Sequence, residues 1–215
     1  MSNDSYVPAL GFHWLTRLYD PVVSLFMREK ALKQRLVAQA GIAPRHDVLD
    51  VGCGTGTLAL IAKRHQPEAR VVGLDGDPAV LAIARRKVAA AGASIELKQG
   101  LADTASAFPP ASFDRILTSL VLHHLTTEQK VSALRAMHTW LRPGGELHVL
   151  DFGPQGNAIL RLLSRGVGWL DGAHRLRDNW EGRMPELMRE AGFARTSEMG
   201  RAFTPFGSVS YYSAG

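Results

Sequence analysis

Cysteine is nearly absent from this chain, with Cys53 its only copy. A disulfide framework within one chain is thereby excluded, and so is any site that needs two or more thiolates on a metal or on arsenite. Long apolar runs are also missing. No stretch approaches the roughly 20 apolar residues that a membrane-crossing helix requires. The opening residues, MSNDSYVPALGFHWL, carry an acid and no early Lys or Arg. They do not read as a signal peptide, so cytoplasmic residence is expected. Basic runs interleaved with aromatics are lacking, and the net charge of +5 is scattered through helical patterns. No nucleic-acid partner is therefore expected. Neither an internal repeat nor a low-complexity linker interrupts the chain. What remains, 215 residues of which 46% are hydrophobic, fits one domain with a substantial core.

The most informative stretch is Val48-Leu49-Asp50-Val51-Gly52-Cys53-Gly54-Thr55-Gly56. Val48, Leu49 and Val51 give it the apolar, β-branched character of a buried strand, and residues 57–65 continue with helical spacing. The glycines thus sit at a strand-to-helix turn. Without a Cβ they tolerate positive φ and let a ligand lie on the backbone, near free amides at the helix N-terminus.

A second acid follows where a nucleoside site needs one. Val71-Val72-Gly73-Leu74-Asp75 reads as another strand, and Asp75 lies 19 residues beyond Gly56. A carboxylate at that strand tip accepts hydrogen bonds from both ribose hydroxyls. The glycine spacing is Gly-x-Gly-x-Gly rather than the dinucleotide Gly-x-Gly-x-x-Gly, and Asp50 stands two residues before the first glycine. A carboxylate there repels a pyrophosphate and suits a cationic ligand such as the amino-bearing sulfonium of S-adenosylmethionine.

With these residues the chain resembles the class I S-adenosylmethionine-dependent methyltransferases, particularly the small-molecule group that includes quinone-biosynthesis C-methyltransferases. Four ordered blocks carry the resemblance: VLDVGCGTG, VVGLDGDP, SFDRILTSLVLHHL at residues 112–125 and LRPGGELHVLDF at residues 141–152. It implies an α/β fold, a Rossmann-like seven-stranded sheet with helices on both faces and an antiparallel C-terminal hairpin. S-adenosylmethionine is the implied cofactor. Asp50 and the backbone of Gly52, Cys53 and Gly54 would hold its methionine end, Asp75 its ribose, and Gly76 and Asp77 would line the adenosine. The adenine clamp would be Leu101, Ala102 and Asp103 after Gly100. Leu101 stands where the family usually has a carboxylate, so Asp103 either substitutes for it or caps the segment starting at Thr104. Tyr19, Ser119 and Leu120 complete the implied cofactor contacts.

The remaining elements can be ordered around that plan. A helix is expected over residues 21–40, packed on the sheet or covering the cofactor, and another over 78–91, with Pro at its start and Gly92 at its end. Strands are expected over 95–99, 115–119 and 146–151. Thr126, followed three residues later by Gln129, reads as a capping box for a helix reaching Trp140. His123 and His124 therefore lie between a strand end and a helix start, at the sheet edge where open α/β folds bind ligands. Both are candidates to take the acceptor's proton, since imidazole titrates near working pH. The competing reading is that they hydrogen-bond the loop backbone.

Residues 1–40 are expected to form a helical lid within the single domain 1–215, and residues 152–184 an insertion over the acceptor. The insertion would contain an amphipathic helix over 157–170 and be followed by a helix over 185–191. Residues around Thr204-Pro205-Phe206-Gly207 read as a closing hairpin. No metal is expected, because no second carboxylate with Asn or His stands near Asp151 in the sequence. The reading is therefore an enzyme methylating a small, aromatic or apolar acceptor. A protein that senses S-adenosylmethionine without catalysis and an RNA methyltransferase stay open. A nicotinamide-dependent oxidoreductase is disfavoured by the glycine spacing and the hairpin. The acceptor and the oligomeric state, a homodimer included, are not legible.

Overall fold

In the computed structural model, residues 29–154, 173–204 and 207–215 are described. Short apolar runs form five parallel strands: β1 (Asp47–Val51), β2 (Arg70–Asp75), β3 (Ile95–Gln99), β4 (Phe113–Ser119) and β5 (Leu141–Phe152). The described helices are α1 (Glu29–Gln39), α2 (Thr57–His65), α3 (Pro78–Ala90), α4 (Thr127–Trp140), α5 (Ala173–Trp180) and α6 (Met184–Glu190). The chain ends in β6 (Thr196–Thr204) and β7 (Gly207–Ala214). All seven strands join one sheet in the order β3-β2-β1-β4-β5-β7-β6, with β7 antiparallel between β5 and β6. The expected Rossmann-like sheet with its antiparallel closing hairpin is observed.

Strand alternation divides the core into two layers. Leu49 and Val51 face one side with Met137 and Trp140 of α4 and Leu187 of α6. Val48 faces the other with Leu36 of α1 and Leu58 of α2. All eight of these side chains are buried, and each such burial contributes about 1.5–3 kcal/mol against the unfolded chain. Asp50 shares the parity of Val48, so its carboxylate enters the layer under α1, a placement with consequences for the site.

Local signals set the helix starts. Thr126 accepts from the Gln129 amide while Gln129 Oε1 accepts from the Thr126 amide, the expected capping box. Asp77 caps α3 by accepting from the amides of Ala79 and Val80, with Pro78 in the first helical position. Strand β5 starts earlier than residue 146, because Leu141 pairs with Phe113 ahead of a bulge that ends where Arg115 meets Glu146. Helix α6 starts one residue before the expected 185. The expected helix over 157–170 and all of the lid before Glu29 lie outside the described residues.

Strands β1 and β4 are neighbours, whereas the chain runs from β1 to β2 on one side and from β4 to β5 on the other. Such a reversal opens a crevice at the carboxyl ends of the strands. The turn after β1 and the turn after β4 face each other across it.

Candidate functional site

Asp50 is the anomaly of the crevice. Its side chain is buried in the layer under α1, yet neither carboxylate oxygen has a hydrogen-bond partner. Burial is the main reason its pKa is pushed up to about 7, and the charge of Asp75 adds to the effect. The Lys33 ammonium partly offsets this, as does the Ala59 amide, which falls short of hydrogen-bond geometry. Lys33 is itself buried on α1, ion-paired to Glu29 one turn earlier. A buried carboxylate with open acceptor positions is costly unless something cationic completes it.

The glycine turn packs tightly against its neighbours. The amides of Gly52 and Cys53 both donate to the Leu74 carbonyl, and the Gly54 amide donates to Asp75 Oδ2 at 2.8 Å. The amides expected to be free for a ligand are instead used to fold the turn back onto β2. What the turn offers is close approach: a Cβ built on Gly54, at φ +54°, would meet nothing within 4 Å. At Gly52 the situation is reversed, since φ is +66° and an added Cβ would lie 2.3 Å from a Val121 methyl. Gly52→Ala is expected to destabilise the protein by about 2 kcal/mol, read as a lower melting temperature, because strain and clash act together. An unchanged melting temperature would mean that Val121 yields freely.

Asp75 ends β2 with Oδ1 accepting from the Asp77 amide at 2.9 Å and Oδ2 from Gly54. Burial raises its pKa, and these amides oppose the rise. An ionised carboxylate has about four acceptor positions, so two amides leave room for hydroxyl donors. Gly76 follows β2 directly, and the Asp77 side chain is already committed to its cap. Leu101 is exposed and Ala102 packs against the core. Asp103 is exposed and does not cap the next turn, where Thr104 holds the cap position without a side-chain bond. Cys53 is buried, and burial, with the charges of Asp50 and Asp75, pushes its thiol far above the ordinary range. It is a packing residue. Tyr19 lies outside the described residues.

Across the crevice, Ser119 is buried at the end of β4, and Leu120 takes a left-handed conformation at φ 58°. A branched residue held there signals a constrained turn. A single 3₁₀ turn, Leu122–His124, follows. It is pinned by Asp151, the buried residue near the end of β5. Oδ2 of Asp151 accepts from the Leu122 amide at 2.8 Å and more loosely from those of Val121 and His123. Its Oδ1 lies 2.8 Å from His123 Nδ1.

Burial alone would raise the Asp151 pKa. The His123 charge and hydrogen bond and the Phe152 amide bring it below the ordinary value. The carboxylate is therefore ionised, and it holds the His123 ring through Nδ1. Phe152 packs edge-on to the His123 ring at 4.8 Å. His124 stacks obliquely on His123, with ring centroids 3.9 Å apart. Burial and then the charge of His123 lower its pKa to about 3; Asp151 opposes them, and Arg175 adds the smallest push downward. Sequence reasoning placed both histidines at this edge but missed Asp151 as their partner, and missed Lys33 under Asp50. Lys33 did carry a signal, since it lies three and four residues before Leu36 and Val37 on the buried side of α1.

A family model described as a methyltransferase domain matches residues 48–145. The demethylmenaquinone methyltransferase of Thermus thermophilus is 38% identical over 123 residues, which cover 57% of this chain and 54% of that protein. The ubiquinone/menaquinone biosynthesis C-methyltransferase of Pseudoalteromonas translucida is 33% identical over 154 residues, 69% of this chain and 60% of that protein. This chain thus spans between half and two thirds of the length of these relatives. The crystal structure of an S-adenosylmethionine-dependent methyltransferase from Aquifex aeolicus matches with a TM-score of 0.67 at 17% identity. That match covers 94% of this chain and 96% of the other, a likeness of fold.

Proposed function

The chain belongs to the class I S-adenosylmethionine-dependent methyltransferases, and on that premise we propose that it methylates a small, aromatic or apolar acceptor. The observation that carries the reading is the buried, unpartnered carboxylate of Asp50 beside a turn whose Gly54 leaves open space. These residues fit the cofactor: an amine satisfies Asp50, and the open side of Gly54 admits a ligand against the backbone. Asp75 would take the ribose hydroxyls. Gly76, the backbone at Asp77, and Leu101, Ala102 and Asp103 would line the adenosine, with Ser119, Leu120 and Tyr19 closing the site. Bound S-adenosylmethionine supplies an electrophilic methyl group on a sulfonium.

The chain's own residues have two tasks, alignment and proton removal. Alignment converts an encounter into a near-unimolecular reaction, which can remove about 7–11 kcal/mol of a barrier. For proton removal we assign His123. Asp151 orients the ring and stabilises the imidazolium that forms when Nε2 accepts the acceptor's proton. His124 is a poor base, because a conjugate acid with a pKa of about 3 holds a proton too weakly near neutral pH. Residues 1–40 and 152–184 would cover the acceptor as lid and insertion. Among the described residues no helix is long and apolar enough to cross a membrane, and cytoplasmic residence is part of this proposal.

The test is calorimetric titration with S-adenosylmethionine, S-adenosylhomocysteine and NAD in parallel, followed by an acceptor screen beginning with quinols and phenols. Binding of the first two, with NAD silent, is expected. Binding of NAD alone would overturn the assignment. Cofactor binding with no turnover across the acceptor screen would favour a sensor over an enzyme.

A further inference from the structure

Helix α5 is fixed to the body of the protein by polar groups. Its sequence, AHRLRDNW, is short and mostly polar, and among its described side chains Leu176 is the one fully buried aliphatic. Lys130 of α4, fully buried, donates to the Arg175 carbonyl and pairs with Asp178 at 3.1 Å. Asp178 also accepts from Thr127 at 2.8 Å and pairs with Arg183 at 2.6 Å. Asn179 donates to the Phe152 carbonyl at 3.1 Å. These bonds hold α5 against α4 and the end of β5, in contact with the turn that carries His123 and His124.

The charges in this network do not balance. Asp178 is shared by Lys130 and Arg183, and Arg177 pairs with Glu181. Arg175 is left over. It is half-buried, its Nε is shut off from solvent without a hydrogen-bond partner, and it forms no ion pair among the described residues. Its charge nonetheless reaches His124. An unpaired guanidinium held on a well-anchored helix that touches the turn of His123 and His124 is poorly explained by stability, because burying it without an anion carries a penalty.

We propose that Arg175 recognises an ionised oxygen on the methyl acceptor, so that the acceptor is an acidic, flat molecule bound as a phenolate or a carboxylate. The inference deepens the methyltransferase reading and depends on it. In the phenol case the O–H proton passes to His123 and its electron pair stays on the acceptor, where Arg175 offsets the charge. That pair forms the new bond to the methyl carbon as the methyl–sulfur pair leaves with sulfur. Methylation at oxygen ends there; at a ring carbon the oxyanion's density makes the bond through the ring, and the hydrogen on that carbon then leaves as a proton to water, restoring the ring and the oxyanion. A guanidinium fork suits either oxygen anion by paired N–H donors.

The test uses the full chain saturated with S-adenosylhomocysteine. The probes are 4-nitrophenol, benzoate and the neutral 4-nitroanisole, with the phenolate absorbance of the first read at a pH below its own pKa. The native protein is expected to bind at least one anionic probe about tenfold more tightly than 4-nitroanisole. If the phenol is the source, its absorbance will show it ionised on binding; if the carboxylate is, benzoate will bind and displace it. Arg175→Gln should remove that selectivity, while Arg175→Lys should keep part of it. Both variants should retain the native melting temperature and S-adenosylhomocysteine affinity. Equal affinity for charged and neutral probes, no binding of any probe, or selectivity that survives in Arg175→Gln would overturn the proposal. Failure of S-adenosylhomocysteine itself to bind would instead sink the methyltransferase reading.

Discussion

Asp50→Asn is expected to weaken S-adenosylhomocysteine binding at least thirtyfold and, in the same protein, to raise the melting temperature of the ligand-free form at pH 8. The first effect follows from removing the charge that an amine would need in a buried position. Loss of one partner of a buried, hydrogen-bonded charge pair costs about 2–5 kcal/mol. The second follows from linkage. The pKa of Asp50 is pushed from 3.8 to about 7 in the fold, chiefly by burial, so the folded state favours the protonated carboxyl. That preference contributes stability in full below about pH 4 and loses it as pH rises through about 7. At pH 8 the ligand-free protein carries an ionised, unpartnered carboxylate, at a cost on the order of 4 kcal/mol.

Asparagine removes that charge and gives back part of the gain through its own unpaired amide, leaving a rise of a few degrees. The rise should vanish near pH 4, where the native carboxyl is already neutral. For the native protein the same argument makes affinity increase with pH between about 5 and 7 and then level off. Binding near pH 7 should release a proton, visible as a dependence of the calorimetric heat on the buffer. Full affinity in Asp50→Asn, or heat that is independent of the buffer, would remove Asp50 from the cofactor site.

The parts of this molecule that depend on short-range pattern are legible in its sequence. Apolar runs at β1 and β2, the Thr126 and Gln129 box, Pro78 at a helix start and the closing hairpin all announce themselves within a few residues. The parts that depend on register do not. Asp151 reaches His123 because β4 and β5 run parallel with Ser119 opposite Leu150, a pairing that no local spacing encodes. Helix α5 was hidden for a different reason. It is short and mostly polar, and its fixing bond joins Lys130 to Asp178, 48 positions apart, which no local pattern announces. The glycine turn shows the limit from the other direction. Its conformation was legible, but its amides are engaged with Leu74 and Asp75, which only the juxtaposition of β1 and β2 reveals.

Replacing His123 with Ala is expected to lower turnover by about 10²–10⁴-fold, the usual contribution of a positioned base, and to leave S-adenosylhomocysteine affinity within twofold. Asp151→Asn should follow it most of the way, since an amide neither fixes the donating tautomer at Nδ1 nor stabilises the imidazolium. The Asp151 variant has a second liability, because the same carboxylate accepts from the amides of Leu122 and Phe152. Its melting temperature is therefore expected to fall as well, and turnover alone cannot separate the two roles. Acceptor acidity can. An acceptor already ionised in solution needs no base, so the defect of both variants should shrink toward unity as the acceptors found in the screen become more acidic, at constant temperature well below melting. A merely structural role predicts the same fractional loss for every acceptor, and a flat series would return His123 and Asp151 to the scaffold. A defect that shrinks for His123→Ala but stays flat for Asp151→Asn would keep the base and show that Asp151 serves only to pin the turn.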